Sequence, residues 1–445
     1  MNKYIDQYKE KLMTVADALT LLKTGDYVFC GEAAAEPAEI LREFHTLKDM
    51  NISNVILNTC ISLEEYPLFT DIELGKIVTH KSGFFGGPQR RANKLGLVSF
   101  IPQHTTNLIR NDFDRIASEN RRSVLMTTVS PMNEQGYFSL STSALYEKDL
   151  VDKCDTLILE VNENFPRTYG DTLVHISQID GLVESSRPVP TISSSPFTEV
   201  DSKIASHIAS LVEDGSTIQL GIGNIPNAVA VQLKTKKHLG IHTEMFTESM
   251  MELLESGAVD NSAKGFNNGV SIAAFTMGSE KLYKYLDNNE KVQFKSSLYT
   301  NDPYLISKNN KYVSINSTLQ VDLNGQCASE TIGSTQFSGT GGQVDTMIGA
   351  QMSPGGKSII ATHSTFTKKD KSGNIITKSK IASILDPGSI VTATRNNVDY
   401  IVTEYGVAWI RGATIKERTK SLISIAHPDF RESLTEEATK LGLLL

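Results

Sequence analysis

The chain has 445 residues, 40% hydrophobic and 21% charged, with a formal net charge of −8. That length allows two or three domains with well-buried cores, and the mild acidity argues against a nucleic-acid binder driven by backbone electrostatics. An anionic ligand must then be held by local Lys/Arg and by oriented backbone amides rather than by the overall field.

Strands are expected, in chain order, at 27–30, 54–58, 124–129, 156–160, 217–220, 292–298, 313–315, 358–361, 390–393 and 400–403. Helical patterns are read at 37–44, 201–212, 226–234 and 429–441. Several strands are apolar nearly throughout instead of alternating, as when helices cover both faces of a sheet. The expected class is α/β. Residues 25–31 (Gly-Asp-Tyr-Val-Phe-Cys-Gly) echo residues 215–221 (Gly-Ser-Thr-Ile-Gln-Leu-Gly), each followed by a proline, Pro37 or Pro226, at an expected helix start. A second echo matches residues 155–160 with 399–404, and together they predict two related α/β domains. The Pro- and Ser-rich stretch around 185–196 can sustain neither a helix nor a central strand. The predicted division is an N-terminal domain over 1–186, a linker over 187–199 and a C-terminal domain over 200–445. The charged, Gly-containing stretch 368–378 reads as an exposed hairpin.

Cys30, Cys60, Cys154 and Cys327 are scattered without CxxC spacing, which fits free thiols in a reducing cytosol and argues against a metal site. Residues 1–6 lack the apolar core of a signal peptide, and no apolar run approaches the ~18 residues of a membrane span, so a cytoplasmic protein is expected.

Two Gly-rich turns carry the candidate chemistry. In Gly221-Ile222-Gly223-Asn224-Ile225-Pro226 an apolar run ends in a turn that opens a helix, presenting N–H groups to an anionic ligand. A turn that merely needs glycine's backbone freedom explains the same pattern equally well. The third glycine of a dinucleotide fingerprint is missing, which disfavours a nicotinamide enzyme. Ser338-Gly339-Thr340-Gly341-Gly342-Gln343 exposes further amides that suit an anion nest or oxyanion hole, against a plain surface loop as the alternative. Asn301 can donate to a developing oxyanion, although an Asn before Asp-Pro more often makes an Asx turn. Glu244, in the neutral stretch 239–245, is a candidate nucleophile for an acyl-enzyme. His242 alternates with it and would share its side of an extended segment, but a structural role is favoured for that histidine. Arg90 and Arg91 can clamp a phosphate or carboxylate, with a solvated or interface pair as the default.

Taken in order, residues 221–229, 239–245 and 338–345 resemble the acetyl-CoA hydrolase/transferase family, nearest the 4-hydroxybutyrate and butyryl-CoA:acetate CoA-transferases. Further matches are Phe84-Phe85-Gly86-Gly87-Pro88, 129–133, Asn164-Phe165-Pro166-Arg167-Thr168-Tyr169-Gly170, 402–408 and 425–431, so the likeness spans the chain. The resemblance implies two tandem related α/β domains of CoA-transferase type, open mostly parallel sheets flanked by helices, with the active site at their interface and the catalytic glutamate in the C-terminal domain. It implies that Glu244 is the nucleophile and that Asn301 supports the oxyanion with Gly341 and Gly342. It also implies that Gly221, Ile222, Gly223, Asn224, Ile225, Pro226, Gly339, Thr340 and Gln343 contact CoA. Two departures, Thr346 where relatives commonly have an aromatic and Thr247-Glu248-Ser249 where many have Asp-Gly, leave the acyl specificity open. The expected activity is CoA transfer between a short-chain acyl-CoA and a free carboxylate, with CoA as substrate and no metal or redox cofactor. The expected partners are acyl-CoA and small carboxylic acids, with no nucleic acid or membrane, in a homo-oligomer. An acyl-CoA hydrolase, a transferase for succinate or itaconate, and a non-catalytic CoA-binding sensor are the rivals.

Overall fold

In a computed structural model, residues 3–193, 196–370 and 372–445 are described. Ser194 and Ser195 of the expected linker, Lys371 of the expected hairpin and the first two residues lie outside the described residues. The chain divides into two compact units. The first comprises Met1–Ser193, Glu244–Glu248 and Val270–Thr300, and the second Ser194–Thr243, Ser249–Gly269 and Asn301–Leu445. A single cut after residue 199 therefore does not describe the division, because two later segments return to the first unit and Glu244 comes with them.

The first unit is built on seven parallel strands: β1 (Tyr27–Cys30), β2 (Val55–Thr59), β3 (Val78–Ser82), β4 (Val98–Phe100), β5 (Ser123–Val129), β6 (Thr156–Asn162) and β7 (Gly181–Ser185), in the order β7-β6-β5-β1-β2-β3-β4. β5 and β6 are buried along their whole length, which explains their largely apolar character. From β1 the chain builds outward through β2–β4 and then returns to the other side of β1 through β5–β7. The crevice beyond the carboxyl ends of β1 and β5 is therefore a topological switch point, where ligands of open α/β sheets bind.

The second unit repeats the idea with β8 (Thr217–Leu220), β9 (Gly240–Ile241), β10 (Val313–Ser317), β11 (Lys357–Ala361), β12 (Tyr400–Thr403) and β13 (Gly406–Trp409), ordered β9-β8-β10-β11-β12-β13. All pairs are parallel except the edge strand β13. Its switch point lies between β8 and β10. Gly25 and Gly215, at positive φ of 88° and 76°, make the same turn before β1 and β8. The second echo does not mark equivalent strands, since β6 is two places from β1 but β12 is three from β8. It records a repeated local device: Asp155 accepts the Ser123 N–H and Asp399 the Ser358 N–H, each locking the start of the neighbouring strand.

The helices expected at 37–44, 201–212, 226–234 and 429–441 form as Ala38–Glu43, Glu199–Leu211, Asn224–Leu233 and Pro428–Lys440. The hairpin forms from Thr365–Lys369 and Ile375–Ser379. The strand expected at 292–298 stops at Phe294, and Ser297–Thr300 turns helical. Residues 390–393 form no strand: Ile390 and Val391 are exposed, and only Ala393 bridges, to Cys327. Among the described residues no helix is long and apolar enough to cross a membrane.

Candidate active site

Within the second unit, both Gly-rich turns converge on the carboxyl end of β10. Gly221 N–H donates to the Ile315 carbonyl at 3.3 Å, and Gln343 Nε2 donates to the Ser317 carbonyl at 3.0 Å. Each turn opens a helix: Gly223, at φ 112° with open space where a Cβ would sit, caps Asn224–Leu233, and Gly342 caps Gln343–Met352. Pro226 falls inside the first turn of its helix, where an N–H would have no intrahelical acceptor. Ile222 is exposed at the tip of the first turn, between Gly221 and Gly223. The second turn hangs on a buried carboxylate, Glu330. Its backbone carbonyl accepts the Phe337 and Ser338 N–H groups, while its side chain holds Gln336, Thr340 and Thr392. Gly339 is buried and Gly341 takes a positive φ of 56°. Beneath these turns Thr346 is buried in a polar knot with Ser314 and Asn316, a setting an aromatic side chain could not share. Asn301 is fully buried, and the Asx-type cap expected there is made by Asp302, whose side chain accepts the Tyr304 N–H at 2.8 Å.

Glu244 sits in the first unit at a bend just before the two-residue strand Met245–Phe246, and is partly exposed. Its carbonyl accepts the N–H groups of Ala274 (2.8 Å) and Phe275 (3.1 Å). The strand Phe275–Thr276 pairs with Met245–Phe246 on one side, and Thr276 donates to Thr142 on the other. Ala144 N–H donates in turn to the Ala274 carbonyl. The carboxylate is thus carried on a backbone fixed from two directions. Because β9 ends at Ile241, the alternation that would set His242 beside Glu244 does not hold. His242 is buried, edge-on to Tyr312, whose hydroxyl donates to the His242 carbonyl at 2.8 Å. Arg91 pairs with Glu65 at an exposed surface, and Arg90 donates to the Phe85 carbonyl.

Sequence reasoning missed the surroundings of Glu244. The thiol of Cys60, one residue past β2, is pushed well above its usual pKa by burial, by the charge of Glu32 and a hydrogen bond with it, and by the charge of Glu244. Glu32, Glu36 and Glu147 are all buried behind it. No linear motif joins these residues; only their positions after β1 and β2 and at the start of a short helix bring them together. Burial also lifts the Glu36 carboxyl to about 8, against hydrogen bonds from Ser62 (2.5 Å) and Tyr66 (3.2 Å) that oppose the shift. The folded chain then holds a proton that the unfolded chain releases above pH 4.5. Stability is therefore lost as pH rises from that value through about 8, by roughly 4 kcal/mol for this one group. Glu36→Gln is expected to reduce the fall in Tm between pH 5.5 and 8.5, as read by calorimetry.

Each unit is thus a mainly parallel sheet with its own switch point, and in the second unit glycine turns open helices at the carboxyl end of β10. A family model of the acetyl-CoA hydrolase/transferase N-terminal domain matches residues 1–193, and one of the C-terminal domain matches residues 278–438. The chain is 41% identical to the 4-hydroxybutyrate coenzyme A transferase of Clostridium kluyveri, covering 97% of this chain and 98% of that one. It is 38% identical to the succinyl-CoA:cyclohexane-1-carboxylate CoA transferase of Geobacter metallireducens, covering 99% and 97%. The crystal structure of RipA from Yersinia pestis superposes with a TM-score of 0.90 at 32% identity, covering 99% and 100%. The chain belongs to the acetyl-CoA hydrolase/transferase family.

Proposed function

We propose that this chain transfers CoA between a short-chain acyl-CoA and a free carboxylate, in a ping-pong cycle through a glutamyl-CoA thioester at Glu244. The observation that carries the reading is a partly exposed carboxylate on a doubly fixed backbone. The names of the relatives above, which act on 4-hydroxybutyrate and succinyl-CoA, support the substrate class.

Glu244 adds to the thioester carbonyl, and the tetrahedral oxyanion is stabilised by donors drawn from Gly341, Gly342 and Asn301. Collapse expels CoA thiolate and leaves a mixed anhydride. The thiolate then attacks the glutamyl carbonyl, the original acid departs as its carboxylate, and glutamyl-CoA remains. An incoming carboxylate repeats the two exchanges in reverse and leaves as the new acyl-CoA, restoring Glu244. Residues 221–226 and 339–343 contact CoA, and the remote parts of CoA supply binding energy for the reacting centre. In the first turn the contact is through the N–H groups of residues 222–225, since the Gly221 N–H is bound to Ile315 and Pro226 has none. No metal or redox group takes part in these steps. The reading includes a cytoplasmic homo-oligomer, whose stoichiometry light scattering measures.

Incubation with acyl-CoA followed by borohydride should give a reduced adduct at Glu244 by mass spectrometry. CoA should exchange only when a carboxylate such as acetate is added. Steady CoA release without any acid would make the enzyme a hydrolase, and saturation with succinate in preference to butyrate would move the acceptor to the dicarboxylates.

A further inference from the structure

Behind Cys60 one buried carboxyl group has a set of hydrogen bonds that bears on its protonation. Glu32 follows β1 and is 1% exposed. It is held by a tight turn: a Cβ on Gly31 would lie 2.3 Å from Thr127 Oγ1, and Ala33 adopts a left-handed φ of 53°. One carboxyl oxygen, Oε1, accepts the Ile61 N–H at 3.3 Å, and the group shares a hydrogen bond with the Cys60 thiol. The other, Oε2, lies 3.3 Å from the hydroxyl oxygen of Tyr146. That hydroxyl has a single proton, and its shorter bond, 2.7 Å, is to the Cys30 carbonyl, which can only accept. With its proton mainly on the Cys30 carbonyl, the Tyr146 hydroxyl offers Oε2 at best a shared, longer bond, and a proton on Glu32 Oε2 donated to the tyrosine oxygen satisfies the contact fully.

The neighbours agree. Facing Glu32 are Glu147 and Tyr146 from the helix Glu147–Val151 and the residue before it, Cys60 after β2, Cys30 at the end of β1, and Glu36 beyond the turn. No lysine, arginine or histidine pairs with it among the described residues. Burial and the charge of Glu147 both push its carboxyl well above the ordinary range. Glu147 is tied by its other bonds, accepting the Glu32 N–H at 2.7 Å, the Ser143 hydroxyl at 2.8 Å and the Tyr146 N–H at 3.1 Å. Ser143 bridges to Phe275, whose N–H holds the Glu244 carbonyl. Glu32 and Glu244 thereby bear on each other in two ways: both charges act on the Cys60 thiol, and Glu147 binds Ser143, which bridges to the residue holding the Glu244 carbonyl.

We propose that Glu32 is a neutral carboxylic acid and a positioning residue for Glu244, so that it adds no negative charge beside Cys60 to those of Glu147 and Glu244 when a carboxylate arrives. The inference rests on Glu244 being the nucleophile. Ionisation of Glu32 adds a further charge next to Cys60, which repels the carboxylate substrate and the oxyanion it forms.

The test is the pH profile of kcat/KM for the carboxylate acceptor, each enzyme normalised to its own rate at pH 6.5. Wild type should fall about tenfold on the alkaline side, the scale of one added charge at intermediate dielectric, and Glu32→Gln should not. Tyr146→Phe removes the acceptor of the Glu32 proton and should bring the fall closer to neutral pH, which a purely structural lesion would not do. An unchanged alkaline limb in Glu32→Gln overturns the proposal, as does a wild-type profile with no limb. If Glu32→Gln fails to fold, the limb of Tyr146→Phe decides: shifted supports the proposal, unshifted overturns it. Absence of a borohydride-trapped adduct in wild type sinks the proposed function and this inference together. An adduct with identical limbs sinks only this inference.

Discussion

Replacing Glu244 by glutamine is expected to lower kcat by about 10⁴-fold or more, the scale seen when a covalent nucleophile is removed while binding groups remain. The amide keeps the shape of the side chain but offers no anionic oxygen to add to a thioester. The bonds made at residue 244 in the strand network come from its carbonyl, which accepts Ala274 and Phe275, and glutamine retains that carbonyl. Tm should therefore shift by less than about 2 °C, and KM for acyl-CoA should change little, since the CoA contacts proposed above are at 221–226 and 339–343. Glu244→Asp is the sharper probe. It preserves the charge and withdraws the oxygens by one methylene, and misplacement of about 1 Å costs on the order of 10²-fold. Quenched-flow release of the free acid from acyl-CoA in a single turnover separates the two outcomes. A glutamine variant within tenfold of wild type would mean that Glu244 does not form the covalent intermediate.

The sheets were legible in the sequence because burial on both faces writes itself as nearly continuous apolar runs, as in 27–30 and 124–129. β3 escaped notice for the opposite reason: its buried Val78, His80 and Ser82 alternate with exposed Thr79 and partly buried Lys81, and its composition is not hydrophobic. The run 390–393 misled because β-branched residues follow Pro387-Gly388 on the surface, with no partner strand beyond one bridge. Of the candidate site, the glycine turns could be read, since a turn that opens a helix leaves a signature in residue type. The setting of Glu244 could not. Its unit is decided by two-residue strands, Met245–Phe246 and Phe275–Thr276, too short for any periodicity to register. Glu32, Cys60 and Glu147 lie far apart in the chain and carry no shared spacing, so only the ordering of β1 and β2 in the sheet reveals that they meet.

Gly170→Ala is expected to be among the most destabilising single substitutions in the first unit, by about 3–5 kcal/mol. The glycine has a φ of 109°, where an L side chain is strained, and it pairs with Phe294 in the sheet formed by Ser271–Ala273, Val292–Phe294 and Tyr169–Gly170. A Cβ there would lie 2.1 Å from the Phe294 carbonyl oxygen and 2.6 Å from its nitrogen. Both are backbone atoms that cannot swing aside, so the strand pair must separate. The consequence reaches the candidate nucleophile by a short route. Ser271–Ala273 belongs to this sheet, and the next two residues, Ala274 and Phe275, donate the hydrogen bonds that hold the Glu244 carbonyl. Asp171, whose N–H also binds the Phe294 carbonyl, is ion-paired to Lys295 at 3.1 Å, but that partly exposed pair is worth at most about 1 kcal/mol and cannot hold the segment in place. Thermal unfolding should therefore show a Tm lowered by about 5–15 °C for a chain of this size. Limited proteolysis should cut first within 270–300, and any folded fraction should trap less adduct at Glu244 than wild type. A variant with wild-type Tm and full trapping would mean that the returning segment is seated by contacts other than this strand pair.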